Sequence, residues 1–83
     1  MDARSLQKMI EDNIATAHVA VSSPDNVHYE AVVVSDAFEG LLPVKRQQMV
    51  YAALGNTITS GEVHALSLKT YTTAQWQDRT PEN

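Results

Sequence analysis

Gly61-Glu62-Val63-His64-Ala65-Leu66-Ser67-Leu68-Lys69-Thr70-Tyr71-Thr72-Thr73-Ala74-Gln75-Trp76 is the stretch on which the reading of the chain turns. It opens on a glycine suited to the left-handed position that follows a helix. From Glu62 to Thr70 the side chains alternate, with His64, Leu66 and Leu68 on one face and Val63, Ala65 and Ser67 on the other. That period of two predicts a strand with one buried side. Thr72 and Gln75 then stand at the spacing of a capping box, which predicts a short helix from about Thr73 to Arg79. This helix lays Trp76, the only tryptophan, against the fold.

Upstream of this stretch, Gln47, Val50, Tyr51, Leu54 and Ile58 share one helical face and leave Lys45, Gln48, Ala52 and Asn56 outward, so a helix is expected over Val44–Ile58. Gly55 inside it would cost about 1 kcal/mol relative to alanine, a sign of close packing or a bend. The preceding segment, Asp36 to Pro43, is broken by Gly40 and Pro43 and reads as a loop anchored in the core by Phe38. Tyr29 to Ser35 is the richest β segment, and its nearly continuous apolar run suits a strand buried on both sides or central in a sheet. His18 to Ser22 is a second strand, and the turn formers Ser22-Ser23-Pro24-Asp25-Asn26 join the two as an antiparallel hairpin. Between Ala3 and Ala17, the residues Leu6, Met9, Ile10, Ile14 and Ala17 recur at helical spacing, and Asp2 is the candidate N-cap.

The order is therefore α-β-β-α-β-α. A strand-helix-strand connection between Val34 and Val63 calls for a right-handed crossover and a parallel neighbour if the two strands are adjacent, and the three-stranded sheet is expected to be mixed. The predicted class is α+β, with the sheet covered by helices on one face. Eighty-three residues allow one domain, expected over 1–83 with an ordered core at about 3–78 and a polar tail at 79–83. The hydrophobic share of 43% and charged share of 19% place it among ordinary globular domains.

The net charge of −4 argues against a chain whose main task is to wrap a polyphosphate. No apolar run opens the sequence, so neither a signal peptide nor a membrane span is expected, and the default compartment is the cytoplasm. The chain has no cysteine, and any metal site must use histidine and carboxylate or borrow thiolates from a partner. Its three histidines, His18, His28 and His64, are the groups competent for metal ligation or proton transfer near neutrality. There is no nucleophile frame, no phosphate-binding glycine loop and no carboxylate pair at a spacing that suggests acid-base work, so an independent enzyme is not expected. Spacing alone favours a hydrogen-bonded structural role for His64 and a solvated loop position for His28. His18 begins a strand directly after a helix, where its side chain can sit near the negative helix end. Lys45 and Arg46 stand at the start of a helix, the unfavourable end for cations, and read either as a solvated face or as an anion contact.

Three segments together resemble the BolA family: Val34-Ser35-Asp36-Ala37-Phe38-Glu39-Gly40, Val44-Lys45-Arg46-Gln47-Gln48-Met49-Val50-Tyr51, and Val63-His64-Ala65-Leu66-Ser67-Leu68-Lys69-Thr70-Tyr71-Thr72 followed by Trp76. The match runs in unbroken order over roughly residues 3 to 78, and it is the combination that is specific. The resemblance implies a class II KH-like fold, in agreement with the order read from the residues. It further implies a non-enzymatic adaptor that partners a monothiol glutaredoxin and shares a [2Fe-2S] cluster with it and with glutathione, in iron-sulfur trafficking or iron homeostasis. The family histidine of the motif written here Val63-His64-Ala65 is a cluster ligand and maps onto His64. The second family ligand, a His or Cys in the loop between the first two strands, maps onto His28, which lies nearer the strand than in many relatives.

Ligand counting agrees with such sharing. An iron of a [2Fe-2S] cluster accepts imidazole in place of thiolate, as in Rieske centres, but a chain without cysteine cannot complete a cluster alone. No cluster is therefore expected on the isolated chain, a monomer or weak homodimer. The alternative is a DNA-binding transcriptional regulator that uses a KH-like surface with Lys45, Arg46 and Lys69. The glycine-framed loop by which true KH domains hold nucleic acid is missing.

Overall fold

The computed structural model describes residues 2–55 and 65–78. Helix α1 (Ala3–Asn13) starts where the sequence places it, because Asp2 Oδ1 accepts a hydrogen bond from the Ser5 backbone N–H at 2.8 Å. It ends four residues before Ala17. Ile14 is already extended, although its N–H still donates to Ile10 O at 2.9 Å, and Ala17 N–H instead donates to Val34 O at 2.8 Å to begin the sheet. Leu6 and Ile10 are fully buried, and Ile14 extends their stripe beyond the helix.

Strands β1 (His18–Ser22) and β2 (His28–Val34) pair antiparallel, from His18 opposite Val34 to Ser22 opposite Glu30. Strand β3 (Ala65–Tyr71) lies parallel to β2, from Ala65 opposite His28 to Tyr71 opposite Val34. The sheet order is β1-β2-β3, so the apolar strand is central and the sheet is mixed, as its sequence predicts. Burial along β2 alternates nonetheless. Tyr29, Ala31 and Val33 are buried, whereas His28 and Glu30 are exposed, so the strand is central without being covered along its length on both faces.

Between β2 and α2 the chain makes a single 3-10 turn (Asp36–Phe38), capped by Ser35 Oγ, which accepts from Ala37 N–H at 3.0 Å. Phe38 is fully buried, the anchor expected of the only phenylalanine. Helix α2 (Pro43–Leu54) begins with proline at its first position, where a missing N–H costs nothing. It is shorter than its apolar spacing suggests. Gly55 lies outside the helix as its C-cap, at φ +53°, and its N–H donates to Tyr51 O at 3.0 Å. The positive φ, which other residues avoid, accounts for this glycine better than close packing, since an added Cβ would meet only Ala52 O at 4.0 Å. Val50 and Leu54 are buried on the inward face as expected, but Arg46 joins them there while Tyr51 is exposed. The expected inward position Ile58 and the helix stop Gly61 lie outside the described residues.

The core forms where α1 and α2 cover one sheet face. Leu6, Ile10, Ile14, Val50 and Leu54 meet Val19, Tyr29 and Val33, with Phe38 closing one end and Leu66 and Leu68 packed at the margin. Helix α3 (Thr73–Asp78) folds back after β3 through the capping box: Gln75 N–H donates to Thr72 Oγ1 at 3.1 Å, and Thr72 N–H donates to Gln75 Oε1 at 2.9 Å. Trp76 stacks on His18 with ring centroids 5.0 Å apart and tilts against Tyr71 at 5.3 Å. His18 and Tyr71 flank Val34 in register, and Val34 is fully buried, so this end of the otherwise open face is closed by aromatic rings. Among the described residues no helix is long and apolar enough to cross a membrane.

Candidate functional site

Five residues, 23–27, connect β1 to β2, and short polar side chains fix their course. Ser23 Oγ accepts from Asn26 N–H at 2.9 Å and donates to His28 O at 2.6 Å. Asp25 Oδ1 accepts from Val27 N–H at 3.0 Å and from His28 N–H at 2.8 Å, an Asx turn that lets Asn26 take a left-handed φ of +59°. These are the turn formers of the sequence, used as their chemistry suggests.

The loop ends on His28, whose side chain is 68% exposed. Its Nδ1 stands 2.8 Å from Asp25 Oδ2. The His28 N–H, the His28 ring and the Val27 N–H together hold the Asp25 carboxyl well below the usual carboxylate range. Asp25 is thus an ionised acceptor at neutral pH. No hydrogen bond to the other ring nitrogen, Nε2, is made among the described residues. Beside the ring lies a groove of about 350 Å³ lined by Pro24, His28, Tyr29, Glu30, Leu66 and Ser67. A smaller groove of about 180 Å³ lies over the open sheet face, between Ala20 and Ser22 of β1, Glu30 and Val32 of β2, and Ser67 and Lys69 of β3.

His64, the other predicted ligand, lies outside the described residues. Its chain neighbour Ala65 is the register partner of His28. No group of three or more histidine and carboxylate side chains that could hold a metal ion occurs among the described residues. At the loop the donors are the His28 imidazole, whose Nε2 makes no hydrogen bond among the described residues, and the Asp25 carboxylate at its Nδ1, too few for a complete metal site.

The three cations named from the sequence are not equivalent. Lys45 is exposed on α2, and Lys69 is exposed on the open face opposite Val32. Arg46, expected beside Lys45 as an anion contact, is turned inward with only 8% exposure. Its Nε donates to Leu41 O at 3.0 Å, one terminal nitrogen donates to Gln75 Oε1 at 2.8 Å, and the guanidinium lies 5.9 Å from the centre of the Phe38 ring. A buried guanidinium must be hydrogen-bonded, and this one joins α2 to α3. The basic pair is therefore one surface lysine and one structural arginine. His18 is likewise engaged, in its stack with Trp76. Sequence reading missed Asp25 as more than a turn former, although an aspartate three residues before a histidine, in a run of turn residues, is a signal for such a contact.

The family model for BolA-like protein matches residues 5–75, and the chain belongs to this family. Acid stress protein IbaG of Escherichia coli is 34% identical over 76 residues, a span of 92% of this chain and 89% of that protein. An uncharacterized protein of Haemophilus influenzae is 36% identical over 77 residues, covering 93% and 89% of the two chains. Among solved structures, a BolA protein homologue from Coxiella burnetii superposes with a TM-score of 0.77 at 34% identity, over 93% of this chain and 97% of that one.

Proposed function

We propose that this BolA-like protein is a non-enzymatic adaptor that binds a monothiol glutaredoxin and contributes imidazole ligands, His28 and His64, to a [2Fe-2S] cluster shared with that partner and its glutathione. The observation that carries the reading is His28 itself: an exposed imidazole with one nitrogen held by a carboxylate and the other without a hydrogen bond among the described residues, opposite the residue that follows His64. Membership of the family supports it, since the resemblance implies this partner and this cluster. The absence of cysteine supports it too, because the thiolates that iron prefers must come from elsewhere. The cluster, when bound, supplies a site for electron or iron-sulfur transfer. What this chain supplies is an exposed imidazole at the start of the central strand.

The test is reconstitution of the heterodimer with a monothiol glutaredoxin, followed by its visible circular dichroism. His64→Ala and His28→Ala are each expected to alter the spectrum, and spectra unchanged in both variants would refute the ligand assignment. The DNA-binding alternative is weakened by the internal commitment of Arg46, one of the three cations on which it draws. Phosphate contacts require salt-dependent affinity, so any DNA binding at low salt should fall steeply as salt is raised.

A further inference from the structure

We propose that Asp25 is a positioning residue that sets His28 in the Nδ1–H tautomer and thereby makes Nε2 the atom offered for ligation. The inference deepens the reading of His28 as a cluster ligand and rests on it for its functional meaning. Its geometry stands independently. The Asx turn is satisfied by Asp25 Oδ1 alone, which accepts both the Val27 and His28 amides. Asp25 Oδ2 has no part in the turn and faces His28 Nδ1 at 2.8 Å. A carboxylate has no hydrogen to give, so the hydrogen between them belongs to the ring, and the lone pair of neutral imidazole is left on Nε2. A metal-bound histidine whose second nitrogen donates to a carboxylate is held in orientation and made more basic, and loss of such a partner commonly weakens binding. Here the carboxylate is in place on a loop whose backbone it also pins, so the ring is oriented before any partner arrives.

Asp25→Asn separates this role from that of a loop cap. The carbonyl oxygen of asparagine must take the Oδ1 position to accept the two amides, which puts its NH2 opposite His28 Nδ1. A donor there demands a bare Nδ1 and drives the hydrogen to Nε2, the nitrogen that must be free to ligate. Long-range proton–nitrogen correlation spectra of the isolated full chain, labelled with nitrogen-15 and held in alkaline solution where imidazole is neutral, read the tautomer directly. The expected result is a protonated Nδ1 in the unaltered protein and a protonated Nε2 in Asp25→Asn, with the Val27 and His28 amide signals showing that the loop is retained. A protonated Nε2 in the unaltered protein, or the same tautomer in both, overturns the proposal.

A second arm uses the heterodimer reconstituted with a monothiol glutaredoxin. Asp25→Asn is expected to weaken cluster retention by roughly 10–100-fold. If His28→Ala removes the cluster signal while Asp25→Asn leaves retention unchanged, the positioning role is overturned. If His28→Ala leaves the signal intact, ligation by His28 is refuted, and with it the functional meaning of the tautomer, whatever the isolated chain shows.

Discussion

At the start of β2, His28 keeps 68% of its side chain in solvent and touches a single carboxylate; beyond the other end of the same strand, Arg46 is 8% exposed and divides its donors between Leu41 O and Gln75 Oε1. The first region is held by side chains that bond the backbone two, three or five residues away, from Ser23 and Asp25. The second is held by contacts across long sequence distances, α2 to α3 through Arg46 and Gln75, and β1 to α3 through His18 and Trp76. A local loop can present a histidine without the core depending on it. A buried guanidinium cannot be removed so freely, because its loss opens space beside Phe38 and breaks the hydrogen bonds that tie Leu41 O and Gln75 Oε1 to α2.

Substitutions should break that contrast unevenly. Arg46→Ala is expected to cost about 2–3 kcal/mol in urea or thermal unfolding, since it strands the Leu41 carbonyl and strips one donor from Gln75 Oε1. Arg46→Lys should recover only part of this, because a single ammonium does not reproduce the fork that reaches both acceptors. Thr72→Ala, which removes the acceptor for Gln75 N–H, should cost about 1 kcal/mol and loosen α3, seen as faster amide exchange of Gln75 and Trp76.

Acid acts on the other region. Amide bonds from His28 and Val27, together with the His28 ring, favour the ionised Asp25, so its pKa in the folded chain lies below the ordinary 3.8. The stabilisation it gives the loop is therefore complete above that value and is lost as pH falls below it toward the folded-state pKa. Val27 and His28 amide signals should shift in this acid range ahead of those of the core. The smallest expected effect on folding is that of His28→Ala, within about 0.5 kcal/mol in urea unfolding, because the ring is exposed and bonded only to Asp25. A loss approaching that of Arg46→Ala would erase the distinction between the two regions.

Legibility followed the range of the interaction. The Asp2 cap, the Thr72 and Gln75 capping box and the alternation of β3 all act within a few residues and are found where the sequence places them, and the turn expected over Ser22–Asn26 is found one residue later, at 23–27. The parallel pairing of β2 with β3 follows from a helix set between two strands. The burial of Arg46 in α2 was not legible, because apolar spacing finds Val50 and Leu54 on the inner face but does not show what else the backbone turns inward beside them. Gly55 read as an interior glycine for the same reason, since apolar spacing continues past the point where the backbone leaves the helix.

By itself, then, the sequence determined the order of elements, the mixed sheet, the lack of thiolate and the choice of His28 and His64 as candidate ligands, because these depend on local stereochemistry, side-chain type and family pattern. Only the tertiary structure decided that Arg46 belongs to the interior, that Trp76 closes the sheet end over His18, and that His28 stands opposite the residue after His64. Those facts depend on which surfaces meet when distant segments pack, and a one-dimensional pattern carries no information on the partner a side chain finds there.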